Sequence, residues 1–104
     1  MKAEALKGHL DGLILATLSA GPAHGYAIAQ ALRHRSSGEF DLAEGTLYPA
    51  LHRLERTGLL ASEWSAEGGR RRRTYHLTRS GVRALGERRR EWRLFAGAIE
   101  AVLA

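Results

Sequence analysis

The chain contains no cysteine. That single absence excludes disulfides, thiolate metal sites and cysteine nucleophiles, and with them a secreted scaffold stapled by disulfides. Long apolar runs are also missing. The longest, Leu13 to Leu18, is interrupted by Thr17, far short of the ~20 residues of a membrane-spanning helix. Met1 to Leu10 carries Lys2, Glu4, Lys7 and His9 without an apolar stretch, so no signal peptide is expected and the expected location is the cytoplasm. Proline occurs twice and aromatic residues seven times. The core must therefore be built mainly from Leu, Ile, Val and Ala. Lysine is scarce, two residues against fourteen arginines. At 104 residues there is room for one domain, and a domain of this size buries a modest core and often leans on a partner subunit.

The positive charge is concentrated. Of the formal net +5, the segment from Arg70 to Arg93 holds ten arginines against Glu87 and Glu91, a local net of +8, while the remaining residues sum to −3. A guanidinium fork suits phosphate and guanine edges better than an ammonium does. For any one arginine a solvated helix face explains it; for the segment as a whole, a polyanionic partner explains more.

Apolar spacing divides the chain. Leu6, Leu10, Leu13, Ile14 and Leu18 form one face of a first helix, weakened by Gly8 and Gly12 at about 1 kcal/mol each relative to Ala and ended by Gly21-Pro22. A second helix is expected from His24 to Arg35, with Tyr26, Ile28, Ala29 and Leu32 inward, and Ser36-Ser37-Gly38 stops it. Glu39 to Leu42 alternates polar and apolar, as a very short strand would. A third helix runs from about Gly45 to Thr57 over Leu47, Ala50, Leu51 and Leu54. Pro49 belongs in its first turn, where backbone N–H groups are free. After Gly58 the period changes. Leu59 to Trp64 and Arg72 to Leu77 read as strands joined at Glu67-Gly68-Gly69-Arg70, and Thr78 caps a last helix starting at Arg79. A hairpin directly after the third helix is the arrangement of a winged helix. The expected fold is mainly α with a small β-hairpin: a winged helix-turn-helix plus a C-terminal helix.

On a 100° wheel with Leu47, Leu51 and Leu54 inward, Gly45, Pro49, His52, Arg53 and Arg56 face outward, and Thr46 and Tyr48 lie at the borders. Such a face suits a DNA major groove, and the helix N-terminus attracts phosphate. An ordinary polar surface helix fits the same residues equally well. The hairpin favours the first reading. Gly68-Gly69 permits a tight turn, and Arg70 to Arg73 follow without a break; four adjacent like charges repel unless an anion such as a phosphate backbone neutralises them.

Enzymatic readings find little support. His9, His24, His34, His52 and His76 lack paired i, i+4 spacing, Gly68-Gly69 lacks the strand-to-helix context of a phosphate-binding loop, and the serines show no base and orienter. No catalytic residue, metal site or cofactor is expected. His24 is expected to cap or pack the second helix.

His24-Gly25-Tyr26-Ala27-Ile28, the run Glu44 to Glu55 (Glu-Gly-Thr-Leu-Tyr-Pro-Ala-Leu-His-Arg-Leu-Glu), Gly58-Leu59-Leu60, Gly68-Gly69-Arg70-Arg71 and Tyr75-His76-Leu77-Thr78 together resemble the PadR family of bacterial transcriptional repressors. The resemblance covers nearly the whole chain. Only 26 residues follow Thr78, so members with one short C-terminal helix are the better match. It implies operator binding by the third helix and wing, here Gly45, Thr46, Tyr48, Pro49, His52, Arg53, Gly69, Arg70, Arg71 and Arg72. It also implies a homodimer through the first and last helices, here Leu6, Leu10, Leu85, Trp92, Phe95, Ile99 and Leu103. One departure is Ala43, where the family commonly has Ser; losing such a cap costs about 1 kcal/mol, and Asp41 or Thr46 is left to cap instead.

The last helix supports the dimer independently. Val82, Leu85, Arg89, Trp92, Ala96, Ile99 and Leu103 recur at spacings of three and four, widened by Phe95 and Val102. A two-fold partner buries such a stripe more economically than folding back on a small domain. Trp92 matches the position that stacks flat aromatic compounds in the multidrug-sensing branch of the family, which implies a small planar aromatic effector; packing as an interface anchor explains it without one. The expected division is residues 1–77 as a winged helix-turn-helix DNA-binding domain and residues 78–104 as a dimerisation helix. The expected function is a homodimeric, sequence-specific repressor on a pseudo-palindromic operator. The alternative is a winged-helix module for protein contact or for DNA binding without sequence preference.

Overall fold

Gly8 breaks the first helix that apolar spacing suggests. The computed structural model describes Leu6 and residues 8–104, and Gly8 has φ +86°, a left-handed conformation that interrupts a right-handed helix. Leu6 is itself helical, so the helix expected from Leu6 to Leu18 is broken at Gly8, and beyond the break α1 spans Leu10–Leu18. It buries Ile14, Leu15, Thr17 and Leu18, and the Thr17 hydroxyl donates back to the Leu13 carbonyl at 2.9 Å.

A two-residue strand, β1 (Ala23–His24), leads directly into α2 (Gly25–Arg35). His24 caps the helix, its Nδ1 accepting from the Ala27 N–H at 3.2 Å. Arg33, His34 and Arg35 in the last turn complement the helix dipole. Ile28 and Leu32 are buried, but Tyr26 is exposed. The expectation that Tyr26 faces inward fails because it lies 200° from Ile28 on the wheel; its hydroxyl instead accepts from Gln30 Nε2 at 2.8 Å.

Glu39 to Leu42 is not a strand. Phe40 and Leu42 pack half-buried against the core, so the alternation reflects a buried loop. The strand that completes the sheet is β1 instead. Next, α3 spans Glu44–Arg56 and buries Leu47, Ala50, Leu51 and Leu54. Ala43 occupies the N-cap position with no side-chain cap; neither Asp41 nor Thr46 substitutes, and the Ala43 carbonyl accepts from the N–H groups of Thr46 and Leu47. Pro49 accordingly falls in the second turn rather than the first. Its missing N–H leaves the Gly45 carbonyl to solvent at an exposed position.

The hairpin consists of β2 (Leu60–Ser65) and β3 (Arg72–Leu77), joined by a 3₁₀ turn at Glu67–Gly69. The antiparallel sheet has the order β1-β3-β2. Ala23 pairs with Tyr75 and His24 with Thr74, while Leu60 pairs with Leu77 and Trp64 with Arg73. Thr78 then caps α4 (Arg79–Leu103), its Oγ1 accepting from the Gly81 N–H at 3.0 Å.

One cluster gathers Ile14, Leu15, Leu18, Ile28, Leu32, Leu47, Ala50, Leu51, Leu54, Leu60, Tyr75 and Leu85. From α4, Leu85 enters the cluster and Ala84 packs half-buried against it. At 1.5 Å per residue the 25 residues of α4 extend about 37 Å, so most of the helix stands beyond the core. Among the described residues, no helix is long and apolar enough to cross a membrane.

Candidate nucleic-acid interface

With its leucines inward, α3 presents Gly45, Pro49, His52 and Arg56 along an exposed crest. Each flank of the crest is tied to a neighbouring element. On one side Thr46 is exposed and Arg53 forms an ion pair with Asp11 of α1, Nη2 to Oδ1. Arg53 is thus partnered within the chain rather than free on the crest.

On the other side Glu55 faces the sheet. The Ser62 hydroxyl donates to Glu55 Oε2 at 2.5 Å, Arg73 Nε donates to Ser62 Oγ at 2.8 Å, and Arg73 Nη2 lies 3.7 Å from the same carboxylate. Tyr48, on this flank, is half-buried over Gly25. A Cβ at Gly25 would lie 2.6 Å from the Tyr48 hydroxyl oxygen, so glycine at the start of α2 is what lets the two helices meet there. Tyr48 also tilts against His52, with ring centroids 6.4 Å apart. Between α2 and the start of α3 lies an open groove of about 280 Å³, bordered by Tyr26, Gln30, Arg33, Glu44 and Tyr48.

The wing turns at Gly68 and Gly69, with φ of 64° and 74°, conformations that favour glycine. The arginine run after it is arranged by strand alternation. Arg71 and Arg73 stack over Trp64 at 4.7 and 5.1 Å from the ring centroid. Arg72 points to the opposite face, where Nη1 lies 2.7 Å from His24 Nε2. A neutral imidazole has one acceptor nitrogen, so Arg72 and the Ala27 N–H compete for it. Arg70 is exposed at the tip. The repulsion expected along this run is thus relieved in part inside the chain, by an indole face and the Glu55 carboxylate.

Asp11, Glu55, Ser62, Trp64 and Arg73 were not singled out by sequence as site residues. Trp64 stands opposite Arg73 in the hairpin register, so counting back from the Gly-Gly turn would have found that pair. Nothing local marks Asp11 as the partner of Arg53.

The dimer stripe divides in two. Leu6 and Leu85 are buried by their own chain, Leu85 within the core cluster. Leu10 is half-buried. Trp92, Phe95, Ile99 and Leu103 remain 53%, 52%, 40% and 79% exposed. Trp92 meets Phe95 at 5.9 Å and the ring of His9 edge-on at 5.4 Å, and Arg88 Nη1 donates to the Gly8 carbonyl at 3.2 Å.

The chain is similar in sequence and fold to known proteins. An uncharacterised protein X of Lysinibacillus sphaericus is 31% identical over 94 residues, 88% of this chain and 85% of that protein. The transcriptional regulator Rv3488 of Mycobacterium tuberculosis is 46% identical over 67 residues, 64% of this chain and 60% of its own length. Among solved structures, a transcriptional regulator from Clostridium thermocellum (Cth-833) superposes with TM-score 0.90 at 29% identity, covering 100% of this chain and 99% of that one. A PadR family transcription regulator from Clostridium difficile R20291 does so with TM-score 0.81 at 36% identity, covering 92% and 99%. The sequence pattern of the transcriptional regulator PadR-like family matches residues 14–87, from the middle of α1 to the first turns of α4. With the third helix, the glycine-turned wing and the capped last helix all in place, the chain belongs to the PadR-like family of transcriptional regulators.

Proposed function

We propose that the protein is a homodimeric, sequence-specific DNA-binding repressor that reads a pseudo-palindromic operator. The observation that carries this reading is the joint exposure of the α3 crest and the wing tip. His52 and Arg56 stand clear of the core on α3, Arg70 and Arg71 stand clear on the wing, and Glu55 between them is engaged by Ser62 and Arg73. In this arrangement α3 enters a major groove, with Gly45, Thr46, Tyr48, Pro49, His52 and Arg53 at or near the base edges. Gly69, Arg70, Arg71 and Arg72 follow the flanking phosphates. Residues 1–77 supply the DNA-binding unit and residues 78–104 the dimer helix, although Leu85 and the first turn of α4 also serve the core.

The dimer is supported by the exposed stripe of Trp92, Phe95, Ile99 and Leu103. Two copies joined along α4 set the distance between two recognition helices, which must match one DNA turn of about 34 Å. Trp92 serves as an interface anchor. Its half-exposed ring between Phe95 and His9 also suits stacking by a planar aromatic effector. Such a compound releases DNA only if it binds the DNA-fitting and non-fitting dimer shapes differently.

Selection of bound duplexes from a random pool, with sedimentation of the free protein, tests the proposal. The expected result is a dimer and two half-sites in inverted repeat, preferred over bulk DNA by at least about a thousandfold at physiological salt. Binding without preference would make the protein a non-specific DNA binder. No duplex affinity would make it a protein-contact module.

A further inference from the structure

We infer that Asp11 is a positioning residue for DNA reading: by holding the Arg53 guanidinium, it directs that side chain toward a base edge and away from indiscriminate phosphate contact. The inference rests on the proposed placement of α3 in a major groove.

The geometry is specific. Asp11 lies in the first turn of α1 and Arg53 in the last turn of α3, so the ion pair bridges two helices distant in sequence. Asp11 Oδ1 takes Arg53 Nη2. A guanidinium carries five N–H donors in a rigid plane, so donors remain available while the contact to the carboxylate restrains the group. Arg53 is 47% exposed and Asp11 23%, so the guanidinium is the more solvent-accessible of the two. An unrestrained arginine at the edge of a recognition helix would swing to the nearest phosphate on any duplex. Here that movement would leave an unpaired carboxylate beside a polyanion, an unfavourable juxtaposition of like charges. A base edge reached without breaking the pair carries no such penalty. The acid therefore lowers affinity for wrong sequences more than for the right one, which is how specificity arises from an unfavourable element.

The test compares wild type, Asp11→Asn, Asp11→Glu and Glu87→Gln. Two duplexes are used: one selected by the wild-type protein from a random pool, and an unrelated duplex of equal length. Glu87 is an exposed acid on α4 and controls for net charge. For Asp11→Asn, binding to the unrelated duplex should strengthen, and the salt dependence of log K on that duplex should steepen by about 0.9 as Arg53 gains a phosphate. The preference for the selected duplex should fall about fivefold or more. Asp11→Glu should restore the preference at least in part, and Glu87→Gln should leave preference and slope at their wild-type values. Thermal melting of each variant checks that the fold is retained. A wild-type preference that Asp11→Asn leaves intact, or that Glu87→Gln lowers equally, overturns the inference while leaving sequence-specific binding standing. A wild-type protein with no preference between duplexes overturns both.

Discussion

Gly81 fixes how α4 leaves the sheet, and substituting it should be costly. A Cβ at Gly81 would overlap the Leu59 carbonyl oxygen, with the Leu59 carbonyl carbon at 3.2 Å and Leu77 Cδ2 at 3.3 Å. The first neighbour is backbone and cannot rotate away. The same junction holds three hydrogen bonds: Thr78 N to the Leu59 carbonyl at 3.2 Å, Thr78 Oγ1 to the Gly58 carbonyl at 2.6 Å, and Gly81 N to Thr78 Oγ1 at 3.0 Å. Gly81→Ala must push the helix out and weaken one or two of them. Overpacking costs about 1–3 kcal/mol and each lost hydrogen bond about 1 kcal/mol. The higher helix propensity of alanine returns about 1 kcal/mol, leaving a net loss of about 1–4 kcal/mol. For a chain of this length that lowers the melting temperature by roughly 5–30 °C. Gly97 supplies the control, because it lies in the same helix with nothing within 4 Å of its would-be Cβ. Gly97→Ala should raise stability by about 0.5–1 kcal/mol. Urea denaturation at fixed protein concentration measures both, the concentration being held because association shifts apparent stability. Gly81→Ala melting at or above wild type would refute the reasoning.

Other parts of the molecule give shorter predictions. Replacing Arg70 and Arg71 together with alanine should weaken binding to all duplexes alike and flatten the salt dependence by about 2; titration at several salt concentrations reads the slope. Ile99→Glu should raise the dimer dissociation constant at least about thirtyfold, through lost apolar burial and a desolvated carboxylate, as sedimentation equilibrium would report. Planar aromatic compounds that stack on Trp92 should quench tryptophan fluorescence in wild type and lose that quenching in Trp92→Leu, the remaining Trp64 serving as internal reference. Burial raises the Tyr75 phenol above its ordinary 10.0, and the neighbouring Glu55 carboxylate adds to the shift. The folded state therefore keeps that proton where the unfolded chain loses it, so stability is intact below about pH 10 and falls as pH rises beyond it. Tyr75→Phe should flatten that decline in denaturation measured across alkaline pH.

The sequence was most legible where structure is local. Leu47, Ala50, Leu51 and Leu54 mark the buried face of α3 by spacing alone. Gly68-Gly69 marks the turn of the wing, Thr78 the start of α4, and His24 the cap of α2. Pairing across long separations was not legible. Two residues at Ala23–His24 carry no periodic signal, and only Thr74 and Tyr75 make them a strand. Phe40 and Leu42 alternate like a strand but bury a loop. Leu85 is buried in the core rather than exposed along the rest of its stripe, because burial depends on where neighbouring elements dock. Asp11 gave no sign of its pairing with Arg53, since 42 positions separate them and nothing local links the two.

The unequal lengths of the three strands have a mechanical consequence. β3 is flanked on both sides only at Thr74 and Tyr75; at Arg72 and Arg73 its one neighbour is β2. The hairpin is therefore held at its middle by β1 and at its root by Leu60 and Leu77 against the core, and is compliant at its end. The tip can bend without straining the buried Tyr75, so in the proposed complex the wing would accommodate grooves of different width at little cost to the core.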